Sequence, residues 1–454
     1  MNKKISLISL GCAKNLVDSE NVLALLGEKK FIITDSYENS DIVIINTCAF
    51  IKEAVDESLS VIKEIVENKG ERKVVVGGCL VQRFKEKIFE IGDIDGIVGT
   101  GNPEKFVEVV EELNEKEKIK KIDDKTFFTK EVYPRLITTF PYAYLKIAEG
   151  CDNRCSYCLI PYLRGRQRSK KIPDILKEAE DLLNLGIKEL VIIAQDTANY
   201  GKDLKDGTNL KKLLREIVKI GFKWIRIMYT HPAHLDDGVI ELVAENRNVC
   251  KYLDIPLQHS HPEILEKMGR PVVDYYRIIE KIREKIKDVR LRTTFMVGFP
   301  GEKENHFNHL VNFLKEVEFD RCGFFKYSRE KGTPAYNFPD QVCKEEKQQR
   351  FEKLVEVQRK ISKEKLKKMV GNVYEVLVEG KEGKFYIGRT EYDAPEIDGV
   401  VYISGKNLKI GNFYKVKITS SSDYDLYGEK LVKSRGKIYN IKSKNEKLKN
   451  IKEK

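Results

Sequence analysis

The chain has 454 residues, 41% apolar and 34% charged, with a formal charge of +11. That length exceeds what one hydrophobic core usually organises, so two or three domains are expected in a soluble protein with a highly charged surface. No apolar run approaches the roughly twenty residues that span a bilayer, and nine cysteines without a secretion signal argue for metal or redox chemistry rather than a disulfide framework.

Met1-Asn-Lys-Lys followed by ISLISLGC resembles a lipoprotein signal ending at Cys12. The apolar stretch is shorter than a signal core of about seven to fifteen residues and includes two serines. It predicts a buried strand, Lys4 to Leu10, ending in a Gly-Cys turn, and a cytoplasmic protein. IVIINTC (Ile42 to Cys48) and KVVVGGC (Lys73 to Cys79) predict further parallel strands, with a helix over Ala54 to Val66 between them. Gly96-Ile-Val-Gly-Thr-Gly101 has the wrong order for a dinucleotide fingerprint and reads as a loop before a helix.

The sequence therefore predicts an N-terminal parallel α/β domain over residues 1–118 and a polar linker over 119–138. A second α/β series follows over 139–368. Its candidate strands are YLKIAEG, ELVIIAQD, WIRIMYTH, YLDIPLQ, RTTFMVGF and CGFFKYS. Six βα units predict a partial version of the eight-unit barrel, with chemistry at the C-terminal strand ends. Over 369–436, short alternating segments with Gly and Asp at the turns predict a small antiparallel β-barrel of about five strands. Residues 437–454 hold seven Lys and two Glu, a solvated basic tail.

Two sets of three cysteines stand at strand ends. Cys151, Cys155 and Cys158 lie in one short loop, where three thiolates can bind three corners of a cubane and leave one iron open. Structural zinc normally takes four protein ligands, and no fourth Cys or His lies close by in the sequence. Cys12, Cys48 and Cys79 each close an apparent strand, and parallel neighbours would bring them to one edge of a sheet. A lone cysteine is usually a core residue; three in equivalent positions point to a second cluster.

The spacing of Cys151, Cys155 and Cys158, with Tyr157 before the last, resembles the signature of the radical S-adenosylmethionine superfamily. With the second cysteine set and the terminal barrel, the chain resembles the methylthiotransferases over nearly its whole length. SLGCAKNLVDSE, INTCAFIKEAVDESL, KIAEGCDNRCSYCLIPYLRGRQRS and IGRTEYDAPEIDGVVYI carry the resemblance, and the last small barrel is similar to a TRAM domain. Lys14 to Glu20 and Asp393 to Gly399 resemble the branch that modifies the β-carbon of an aspartate in ribosomal protein S-twelve. Pro161-Tyr162 resembles the rival branch, which modifies an isopentenylated adenosine of tRNA.

The resemblance implies two 4Fe-4S clusters, S-adenosyl-L-methionine as radical source and methyl donor, and a reductant such as flavodoxin or ferredoxin. The partner implied is ribosomal protein S-twelve or the small ribosomal subunit, with nucleic acid secondary and no membrane. Gln195 and Asp196 would hold the cofactor's amino group, Tyr157 would flank it, and Thr294, Gly298 and Glu302 would lie near ribose or adenine. Arg164 and Arg168 would face a carboxylate or the surface. Residues 371–436 carry ten basic and ten acidic side chains, whereas an RNA-binding barrel should show a basic excess. Glu391, Asp393, Glu396 and Asp398 on one turn would suit a basic ribosomal-protein surface, or would simply be turn chemistry, in which Asp and Gly favour such bends. A zinc-stabilised RNA-binding module is the alternative from another class; it would be colourless and bind RNA with steep salt dependence.

Overall fold

Ile42–Thr47, the most apolar strand of the N-terminal third, is buried along its whole length because its sheet is covered on both faces. In a computed structural model, which describes residues 3–113, 115–123, 132–434 and 437–440, Ile42 and Ile44 pack with residues of the helices Ala13–Glu28 and Pro103–Glu112. Val43 and Ile45 pack the other way, with Ile62 and Ile65 of the helix Lys52–Glu67. The sheet is six-stranded and parallel, in the spatial order Ile32–Ile33, Lys4–Ser9, Ile42–Thr47, Lys73–Gly78, Gly96–Val98, Ile119–Lys121. The three long strands fall where the sequence places them. Gly96–Val98 is a strand rather than a loop, and Ile119–Lys121, read as linker, is the edge strand. Both are too short to show a periodicity.

The second sheet holds six parallel strands in sequential order: Tyr142–Lys146, Glu189–Ile193, Trp224–Ile227, Val249–Asp254, Arg290–Val297 and Arg321–Lys326. First and last do not pair, so this is the partial barrel expected. Leu190 and Ile192 point outward to the helices, whereas Val191 and Ile193 point inward. The inward face is plugged from both sides: Val17 of the N-terminal helix and Leu377 and Ala394 of the C-terminal region join its core.

The C-terminal strands Val373–Glu382, Phe385–Arg389, Val401–Ser404, Phe413–Ser421 and Leu426–Ser434 form the expected barrel around Val376, Val378, Val401, Ile403, Val416 and Ile418. Sequential neighbours up to Val401–Ser404 are antiparallel, but Val401–Ser404 closes the barrel by pairing parallel to Leu426–Ser434. Lys437–Asn440, placed by the sequence in a basic tail, pairs with Leu426–Ser434; residues 441–454 of that tail lie outside the described residues. Among the described residues no helix is long and apolar enough to cross a membrane.

The acidic turn after Phe385–Arg389 corrects the sequence reading. Asp393 and Asp398 are turned into the partial barrel, and Glu396 reaches it from an exposed position. Asp393 pairs with Arg321 at 2.6 Å, Asp398 accepts from the Tyr252 hydroxyl at 2.6 Å, and Glu396 accepts from the Tyr142 hydroxyl at 2.7 Å. Sequence alone cannot separate a docking acid from an internal staple, since both sit in Gly- and Pro-bounded turns. Arg389 completes the junction: it reaches Glu189 at 2.7 Å, and Glu189 also binds Arg226 at 2.6 Å, all three side chains at most 1% exposed. Arg389→Met leaves Glu189 with one of its two cations and is expected to cost about 3–5 kcal/mol. A lowered chemical-denaturation midpoint at unchanged slope checks this.

Candidate active site: two cysteine loops and the charged network between them

Strand register aligns the first cysteine set. Ser9 stands beside Asn46 and Thr47 beside Gly78, so Cys12, Cys48 and Cys79 leave three adjacent strands at the same end of the sheet. Gly11 (φ +94°) and Gly78 (φ +94°) precede two of them. A Cβ on Gly11 would lie 2.6 Å from Cys48 Cβ, and one on Gly78 would lie 2.4 Å from Asn46 Oδ1, so only glycine lets these loops close on each other. The Asn15 amide ties the loops together, donating to Leu10 O (3.0 Å) and Thr47 O (2.9 Å). Ser58 Oγ donates to Cys48 O at 2.9 Å. Cys12 caps the helix Ala13–Glu28, whose positive end favours a nearby anion.

The second set lies at the end of the first barrel strand. Cys151 N–H donates to Gly165 O (3.1 Å), Ser156 N–H to Met268 O (2.9 Å) and Ser156 Oγ to Lys267 O (2.8 Å), pinning the loop at both sides. The Arg270 guanidinium approaches Cys155 Sγ at 4.0 Å, and Tyr157 packs edge-on against Phe299.

The donor chemistry of both sets fits metal clusters. Burial pushes the Cys48 thiol up to about 12, with Cys79 and Cys12 adding to it, and also raises Cys79. Burial likewise pushes Cys151 up to about 11 and Cys158 higher still. Buried thiols such as Cys48, Cys79, Cys151 and Cys158 favour the thiolate when a bound metal supplies positive charge. Cys250, buried in the inner core, has no such company.

Between the two sets runs a network of buried charges. Lys146, in the first barrel strand, binds Asp18 and Glu149, the latter at 2.7 Å. Arg164 binds both Glu149 oxygens at 2.9 Å, Asp18 at 3.2 Å and the Asn15 side-chain oxygen. Its charge also lies near Cys79 and opposes the effect of burial on that thiol. Burial disfavours the charge on Glu149, yet Arg164 and Lys146 hold its carboxyl well below the usual range. Arg164 is thus neither a surface residue nor free for a ligand. Nearby, Arg135 joins Glu20 to Glu178, so the end of the expected linker is fastened to one helix from each of the two α/β units.

Gln195 and Asp196 sit at the end of the second barrel strand, as expected. Gln195 Nε2 donates to Glu149 Oε1 at 2.6 Å, leaving its Oε1 buried without a partner among the described residues. Asp196 Oδ2 accepts from Asn153, in the cysteine loop, and meets His234 Nδ1, each at 2.7 Å. Burial opposes its charge, but His234 keeps the carboxyl below its ordinary range. Asp196 Oδ1, Thr197 Oγ1 and His231 Nε2 are also buried and unpartnered. His231 Nδ1 accepts from Ala233 N–H, so its Nε2 is a donor; the orphaned acceptors are Asp196 Oδ1, Gln195 Oε1 and Thr197 Oγ1, and beside three cysteines they form a ready cradle for a cationic amine.

Thr294 is buried in the fifth strand, where its carbonyl accepts from Gln258 N–H at 2.7 Å. Glu302 is engaged elsewhere: it binds Arg350 at 2.7 Å and accepts from Gly298 N–H at 2.9 Å, shaping the turn that carries Phe299 against Tyr157. Sequence reading missed Asn15, Asp18, Lys146, Glu149, Asn153 and His234. Polar residues inside apolar strands, and on the covered face of the first helix, were the available signal.

The chain matches the radical SAM superfamily over residues 145–314, the TRAM domain over 370–431 and the uncharacterized protein family UPF0004 over 4–99. A curated relative from Acetivibrio thermocellus, named ribosomal protein uS12 methylthiotransferase RimO, is 44% identical over 94% of this chain and 98% of its own. One of the same name from Clostridioides difficile is 46% identical over 94% and 99%. Among solved structures, the radical S-adenosylmethionine methyltransferase TsrM from Kitasatospora setae, with cobalamin and a [4Fe-4S] cluster, is 17% identical. It covers 74% of this chain and 77% of its own with a TM-score of 0.54, a likeness of fold.

Proposed function

Because the chain belongs to the uS12 methylthiotransferase family within the radical SAM superfamily, we propose that it adds a methylthio group to the β-carbon of an aspartate in ribosomal protein S-twelve. One observation carries this reading: two separate three-cysteine loops, joined by one buried charge network, in a chain 44–46% identical to such enzymes end to end. Superfamily membership implies S-adenosylmethionine and one 4Fe-4S cluster. Cys151, Cys155 and Cys158 would hold that cluster, and Cys12, Cys48 and Cys79 a second. When bound, these groups supply the radical hydrogen abstraction, the sulfur and the methyl group.

The chain's own residues position and exclude. Asp196 and Gln195 offer unspent acceptors to the amino group of S-adenosylmethionine, and Tyr157 with the Gly298–Glu302 turn walls the cysteine loop. Lys146, Arg164, Asp18 and Glu149 keep the space between the loops dry and fixed, since each charge is matched. The division into residues 1–118, 139–368 and 369–436, a cytoplasmic location and a flavodoxin- or ferredoxin-class reductant belong to the same reading.

Asp196→Asn keeps the shape but removes the anionic acceptor. It is expected to weaken S-adenosylmethionine binding roughly ten- to a hundredfold, measured by equilibrium dialysis on the iron-loaded protein. The reading as a whole is tested by incubating iron- and sulfide-reconstituted protein with S-adenosylmethionine, dithionite and either an S-twelve peptide or tRNA. A methylthio mass on the peptide supports it; modification of tRNA alone overturns it.

A further inference from the structure

The segment Lys14 to Glu20 is spent on structure at every polar position except the first. Asn15 clamps the cysteine loops, and Asp18 binds Lys146 and Arg164. Ser19 meets Ser9 and Asn46, and Glu20 holds Arg135 and Thr138. Lys14 is only 8% exposed, yet among the described residues its ammonium makes no hydrogen bond or ion pair. It rests 3.2 Å from the ring centroid of Tyr229. Tyr229 follows the third barrel strand, Trp224–Ile227, so the ammonium stands at the barrel mouth two residues from Cys12.

The nearby carboxylates are already taken, although the ammonium also feels Cys12. Asp18 and Glu149 belong to Lys146 and Arg164, and Asp254 binds Arg292 at 2.9 Å and accepts from Tyr229 N–H. An ammonium has three donors, and a ring face satisfies the charge without accepting all three. The ammonium is not sealed from solvent, so an arriving carboxylate would replace water at donors that no protein group holds. The β-carbon of an aspartate is one bond from a carboxylate, so a cation beside the reacting carbon is what this substrate requires.

We propose that Lys14 receives the side-chain carboxylate of the substrate aspartate and thereby fixes its β-carbon against the Cys12 loop. This rests on the substrate reading above. Ordering the anion by one charge-assisted contact also gives selectivity for aspartate over asparagine.

The test uses the reconstituted full chain and two fluorescent synthetic peptides from the S-twelve loop, one with aspartate and one with asparagine at the modified position. Wild type is expected to prefer the aspartate peptide roughly ten- to a hundredfold. Lys14→Met should erase the preference, binding both peptides as wild type binds the asparagine one, and Lys14→Arg should keep most of it. Iron content and circular dichroism report folding; Lys14→Gln replaces the methionine variant should that one lose iron. A wild-type preference that persists in Lys14→Met and Lys14→Gln overturns the role of Lys14 alone. A variant that instead changes the cluster's electron paramagnetic resonance while keeping the preference overturns it too, assigning Lys14 to the Cys12 site. If wild type ignores both peptides and modifies tRNA, the substrate reading falls, and this proposal with it.

Discussion

Replacing Cys12, Cys48 and Cys79 together by alanine is expected to abolish methylthio insertion while leaving reductive cleavage of S-adenosylmethionine intact. The two cysteine sets stand on different sheets, and each is pinned by its own hydrogen bonds: Asn15, Thr47 and Ser58 on one side, Ser156, Met268 and Lys267 on the other. Losing one set should not unseat the other. Iron content should fall from about eight to about four atoms per chain, with 5′-deoxyadenosine still formed. The converse variant, lacking Cys151, Cys155 and Cys158, should also keep about four iron atoms but form no 5′-deoxyadenosine. Unchanged iron in the first variant would show that Cys12, Cys48 and Cys79 hold no cluster.

The second large effect belongs to Arg164. Its guanidinium touches Glu149, Asp18 and Asn15, each from a segment next to a cysteine loop, and is 2% exposed. Arg164→Met removes one of two cations facing two buried carboxylates, an imbalance expected to cost about 3–5 kcal/mol. Anaerobic denaturation in urea measures it. The loss should carry a pH signature. Glu149, Glu178 and Glu189 all have lowered folded-state values, Arg164, Lys170 and Arg226 outweighing the burial that opposes their charge. A depressed carboxyl contributes stability above its unfolded value of about 4.3, lost as pH falls below it. Wild type should therefore weaken more steeply below pH 4.3 than Arg164→Met, whose Glu149 has already lost its main partner.

The long elements were legible because each carries a strong pattern. All six barrel strands lie where buried apolar runs end in polar motif residues, and Cys12, Cys48 and Cys79 follow strands whose periodicity is plain. Their convergence was legible too, since parallel strands in one sheet end on one edge. What escaped was anything set by tertiary partners. Asp393, Glu396 and Asp398 look like a solvated turn, and only the opposing Arg321, Tyr142 and Tyr252 make them an internal staple. Arg164 looks like a surface arginine in a glycine-bounded loop until Asp18, from a helix 146 positions earlier, is seen beside it. Short strands such as Ile119–Lys121 carry too few residues for any period. They are fixed by the edge they complete.

The identity of the substrate is decided by mass spectrometry of a host lacking the gene, with and without complementation. Both the aspartate-bearing peptide of ribosomal protein S-twelve and digested tRNA should be followed. A methylthio mass is expected to return on the peptide alone when the gene is restored. Its return on tRNA with an unmodified peptide would contradict the assignment.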